Sequence, residues 1–77
     1  MSKIQLSDLE IGQTAVVFEL SVEPNLQQRL LALGFRKGKQ IRMLRKAWLK
    51  GPLHIRVGTT EVMVRRRDAS LIYVKHD

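Results

Sequence analysis

The sequence contains no cysteine. That excludes a disulfide framework and any zinc or iron–sulfur site built on thiolates. Histidine is nearly as scarce, with only His54 and His76, and the two sit at no ligand spacing, so no metal site is expected. Met43 and Met63 read as core fill and strand surface, not as soft ligands. No apolar run approaches the roughly 18 residues needed to cross a bilayer, and the start, MSKIQLSDLEIG, lacks the hydrophobic stretch of a secretory leader. A cytoplasmic protein is expected, with no direct membrane insertion and held at the inner face of a membrane only by a partner. Acids are thin where a catalyst would need them: Asp8 and Glu10 fall in a lead-in, Glu61 is matched to an arginine (below), and Asp68 reads as the cap of a short turn. With no carboxylate pair, no nucleophile beside a histidine and no GxxxxGK phosphate cradle, the reading is of a non-enzyme with no catalytic residue and no cofactor. Aromatics make up 5% of the chain. Phe18 and Phe35 read as inward, leaving Trp48 and Tyr73 for the surface.

Positive charge is what the chain does have. Residues 1–35 hold two basic side chains, Lys3 and Arg29, against four acids, whereas residues 36–67 hold eleven basic side chains against Glu61 alone. The net charge of +7 therefore belongs to the middle of the chain. Such asymmetry suits an acidic partner: nucleic acid, an anionic lipid surface or an acidic protein face.

Seventy-seven residues are enough for one domain, 1–77, and no linker or repeat divides them. LSDLEIGQ (6–13) reads as a short lead-in, with Gly12 making a turn. TAVVFEL (14–20), rich in β-branched residues, is predicted to be a strand. SVEPNLQQRLLALG then reads as a helix, with Pro24 at its first position and Leu26, Leu30 and Leu33 forming an apolar stripe. Gly34 falls where a helix ends in a left-handed residue, and Phe35 is placed to fold back onto the last turn. Gly38 marks a second reversal before the strand QIRMLRKA (40–47), and Gly51-Pro52 marks the turn after it.

The pair PLHIRV and TEVMVR supplies an internal check. If Gly58-Thr59 is a two-residue hairpin loop, Arg56 opposes Glu61, Ile55 opposes Val62, His54 opposes Met63 and Leu53 opposes Val64. Apolar then meets apolar on one face, and the acid meets an arginine on the other. SLIYV (70–74) makes the last strand, with Ile72 or Leu71 and Val74 inward, and His76 and Asp77 form a tail. The predicted fold is mainly β: a small five-stranded barrel with one short α-helix between the first and second strands, closed so that few edges stay bare.

RLLALGFRKGKQIRMLRKAWLKGPLHIRVGTTEVMVRRRDASLIYV resembles the ferrous iron transport protein A family, FeoA, over nearly the whole chain. The features that carry the resemblance are Leu30-x-x-Leu33-Gly34, Gly38, the basic strand, Gly51-Pro52-Leu53-His54-Ile55, and Val62–Arg65 followed by Asp68-Ala69-x-Leu71-Ile72. The chain departs from the family at Trp48, where proline is common. The resemblance implies an SH3-like accessory protein of bacterial ferrous iron uptake that binds and modulates the membrane transporter FeoB, whose cytosolic end carries a GTPase domain. The expected partner surface is the basic turn Arg36, Lys37 and Lys39 with Trp48 and Leu49 as apolar anchors; Gly34, Gly38, Gly51, Pro52 and Gly58 are expected to be structural turns. The alternative is a basic small-barrel module that binds nucleic acid, or a regulatory module like the C-terminal domain of DtxR-type repressors.

Overall fold

The computed structural model describes residues 3–76; Met1, Ser2 and Asp77 lie outside them. Six strands form one antiparallel sheet: β1 (Lys3–Gln5), β2 (Thr14–Leu20), β3 (Gln40–Lys46), β4 (Leu53–Val57), β5 (Thr60–Val64) and β6 (Ile72–His76), in the spatial order β1-β6-β2-β3-β4-β5. Helix α1 (Pro24–Ala32) links β2 to β3, and a one-turn helix α2 (Arg66–Ala69) precedes β6. The mainly β architecture with a helix between the first two long strands is the one the sequence predicts. The sixth strand is β1. At three residues it is too short to show alternation, and it exists by pairing Lys3 with Lys75, Ile4 with Val74 and Gln5 with Tyr73.

The lead-in does more than introduce β2. Leu6 and Leu9 bracket a 3₁₀ turn (Leu6–Asp8), and both are fully buried. They join Phe35, Met43, Leu53, Ile55, Ile72 and Val74 in the core.

The ends of α1 are set by local chemistry. The Glu23 carboxylate accepts the Leu26 N–H at 3.0 Å, and Pro24 occupies the first turn; both use groups that have no partner inside the helix. At the other end Gly34 has φ 99°. The Phe35 N–H reaches back to the Leu30 carbonyl at 2.9 Å, and the Gly34 N–H reaches the Leu31 carbonyl at 3.0 Å. That pair of bonds is the Schellman motif, and Phe35 and Leu30, the positions it relates, both lie in the core. The motif also corrects the expected stripe: Leu33 becomes the C-cap and is 43% exposed, because the reversal that follows swings Phe35, not Leu33, into the core.

The β4–β5 hairpin has all of the predicted pairs, from Leu53↔Val64 to Arg56↔Glu61. Gly58 takes φ 62° at the first loop position, as the tight loop demands. The β3–β4 hairpin differs from the expectation. Leu44 is an extra residue in β3, and beyond it the register runs Arg45↔His54 and Lys46↔Leu53. The Ala47 N–H then donates to the Pro52 carbonyl at 3.1 Å, and the Gly51 N–H to the Trp48 carbonyl at 3.0 Å. The reversal therefore falls on Leu49-Lys50, two residues before the expected Gly51-Pro52 turn. Gly51 is still required: a Cβ there would lie 2.8 Å from the Ala47 Cβ and 3.1 Å from the Trp48 oxygen.

Near the C-terminus two expectations change. Asp68 does not cap α2; Arg65 holds that position without a side-chain bond, and Asp68 lies within the turn. His76, expected in a tail with Asp77, pairs with Ala15 at the end of β6; Asp77 is outside the described residues.

Candidate functional site

The basic turn is held against β2. The Gly38 N–H donates to the Val17 carbonyl at 2.8 Å, and the Val17 N–H to the Lys39 carbonyl at 2.9 Å. Gly38, at φ 90°, allows the chain to double back between these two bonds. Arg36, Lys37 and Lys39 are exposed as a result. They are not equivalent: Arg36 donates to the Leu31 carbonyl at 3.0 Å, placing its charge at the negative end of α1.

Beside this turn lies a feature that the sequence did not reveal. β2 carries a bulge between Val17 and Glu19, and Phe18 is the extra residue. With Ala15 and Val17 buried, Phe18 is placed on the outer face, contrary to the inward reading. Three ammonium groups surround its ring: Lys75 at 4.1 Å, Lys3 at 5.3 Å and Lys37 at 5.5 Å from the centroid. Lys3 also lies 4.8 Å from the Tyr73 ring. Lys3 and Lys75 are directly opposed across β1 and β6, an arrangement that costs energy for like charges. The π faces and Glu19 offset it. Glu19 lies 3.5 Å from the Lys3 ammonium, and its carboxyl is held below the ordinary glutamate value, first by the Ser21 hydroxyl and then by Lys3. No local signal could have linked Lys3 and Lys75, because opposite ends of the chain supply them.

On the other side of the turn a groove of about 330 Å³ is lined by Thr14, Lys39, Gln40, Ile41, Arg42, Arg56 and Gly58. Arg42 and Arg56 face each other across β3 and β4. Arg56 is steadied from the far side by Glu61 at 3.1 Å, which His54 also approaches at 2.9 Å. The Glu61 carboxyl is held below its ordinary value, first by the Arg56 hydrogen bond, against some desolvation, with His54 adding to it. A carboxyl depressed in this way stabilises the fold above the ordinary glutamate pKa, and that stabilisation is lost as pH falls through the folded-state value. Denaturant titrations of wild type and Glu61→Gln should therefore differ at neutral pH and converge in acid; a gap unchanged by acid would show that the charge of Glu61 contributes nothing.

Trp48 and Leu49 stand elsewhere. They cap the hairpin at the far end of β3, roughly 20 Å of strand from the basic turn. They are 89% and 91% exposed. The expected single surface is thus two sites: a cationic face around Arg36–Lys39 and Phe18, and an apolar tip. Among the described residues no three His, Cys, Asp or Glu side chains converge as metal ligands. Among the described residues no helix is long and apolar enough to cross a membrane.

Comparison with known proteins places this geometry. Residues 4–76 match the FeoA domain. A Porphyromonas gingivalis protein, the Fe(2+) transport protein A/Fe(2+) transporter FeoB fusion protein, is 33% identical over 72 residues, which are 94% of this chain and 8% of that protein. The solution structure of FeoA from Chlorobium tepidum superposes with a TM-score of 0.91 at 32% identity, covering 95% of this chain and 70% of that one. The crystal structure of Stenotrophomonas maltophilia FeoA complexed with zinc, a procaryotic SH3 domain protein, superposes with a TM-score of 0.77 at 34% identity, covering 91% and 87%. The chain belongs to the FeoA domain family.

Proposed function

We propose that this chain is an accessory protein of ferrous iron uptake that docks on the cytosolic GTPase region of a FeoB-type transporter and modulates transport without catalysing a step. The observation that carries the reading is the fusion protein, in which a segment similar to 94% of this chain is joined covalently to a FeoB transporter. Fusion holds two partners at high effective concentration, which is of use when they must meet. The docking face in this reading is the Arg36–Lys39 turn together with Lys3, Lys75 and Phe18. Its clustered charge would speed and orient encounter with an acidic face, and Phe18 would add apolar contact.

Charge reversal at Lys37 and Lys39 tests this. Lys37→Glu/Lys39→Glu leaves the two backbone bonds of the turn in place. Association with the cytosolic region of the transporter should slow about tenfold at low ionic strength, and the gap should narrow as salt screens the charges. Equal association rates would remove the turn from the interface. A parallel titration with single-stranded RNA addresses the nucleic-acid alternative, which requires binding that weakens by orders of magnitude as salt rises.

A further inference from the structure

We propose that the Trp48–Leu49 tip contacts an anionic lipid surface, with the indole at the headgroup level and the leucine in the acyl boundary. This does not rest on the docking reading and uses the opposite end of β3. Three observations converge on it. The first is exposure: Trp48 at 89% and Leu49 at 91% are the two most exposed large apolar side chains among the described residues, and they are adjacent. The second is geometry. The two-residue loop holds Leu49 at φ 54° and Lys50 at φ 61°, a region that L side chains rarely adopt. The tip is therefore a narrow convex point at the end of a hairpin, not one wall of a groove.

The third is charge. Arg45, Lys46 and Lys50 flank the tip, and residues 41–60 contain no aspartate or glutamate. Arg45 and Lys50 are exposed, and Lys46 reaches the Ser7 carbonyl at 3.2 Å; none of the three has an ion-pair partner among the described residues. The order is cation, cation, alanine, tryptophan, leucine, cation. A flat anionic surface can meet the apolar point together with the exposed charge of Lys50 beside it, with Arg45 adding attraction from the strand behind. Tryptophan favours the membrane–water interface, leucine gains by leaving water, and each basic residue is drawn to anionic headgroups.

Trp48 is the chain's one tryptophan, so its fluorescence reports on the tip alone. The full chain would be titrated with vesicles of phosphatidylcholine, and of phosphatidylcholine with phosphatidylglycerol, each with and without brominated acyl chains. The expected result is a blue shift and bromine quenching with the anionic vesicles only, weakened by salt. The second arm uses Leu49→Asn/Lys50→Gly. These residues favour the loop's backbone conformation, so the variant should fold, yet vesicle partitioning should fall about tenfold or more. Binding to anionic vesicles without quenching would show that charge alone holds the chain, and would overturn the proposal. Full-strength binding by the loop variant would overturn it too. So would a blue shift that appears with a protein partner and never with lipid.

Discussion

Phe35→Ala should remove about 3–5 kcal/mol of stability, the cost of truncating a buried phenylalanine and leaving a cavity. Phe35 is the largest of the fully buried side chains. It enters the core directly from the Schellman turn that ends α1, in the same buried cluster as Leu30. A 77-residue domain has only about 4–12 kcal/mol in total. The loss would lower Tm by roughly 15 °C or more. Thermal melts followed by circular dichroism, backed by denaturant titration, would measure it. A drop of only about 1 kcal/mol would mean that Leu6, Leu9 and Leu30 close the gap, and that Phe35 is not the centre of the core.

Leu49→Asn/Lys50→Gly should act in the opposite direction. The wild-type loop has the two positive φ values and the Trp48–Gly51 hydrogen bond of a type I′ turn, for which Asn-Gly is the preferred pair. Each L residue held in the left-handed region costs about 1 kcal/mol or more, and asparagine and glycine pay less. The double variant should be more stable by about 1–2 kcal/mol, with Tm up by roughly 5–10 °C. No gain in stability would show that the loop already relaxes at no cost. A stabilised variant that partitions poorly to lipid would explain the natural residues: the tip keeps a strained leucine and lysine for what they contact.

Much of the fold was legible because its signals are local. Thr14–Leu20, the Pro24 start, the Gly34 stop and the β4–β5 register depend on backbone preferences or on partners within a dozen residues. The misreadings also have identifiable causes. The Leu44 and Phe18 bulges shift strand pairing by one residue, and no residue in either strand announces that shift. The β3–β4 reversal falls on Leu49-Lys50, where leucine and lysine carry none of the usual turn chemistry, while Gly51-Pro52 beside it carries that chemistry without being the loop. The bulge in β2 accompanies Phe18 on the outer face.

The candidate site divides along the same line. The basic run of residues 36–39 and its exposure after Gly34 follow from sequence order, since a chain that leaves a helix through a left-handed glycine and turns again at Gly38 must present what lies between. That Phe18 gathers Lys3, Lys37 and Lys75, and that Trp48 and Leu49 stand at the far end of β3 from the basic turn, was decided by tertiary structure alone. Lys3 and Lys75 meet only because β1 pairs with β6, and a pairing across nearly the whole chain is set by the shared core that both strands cover, not by any preference of the residues that it brings together.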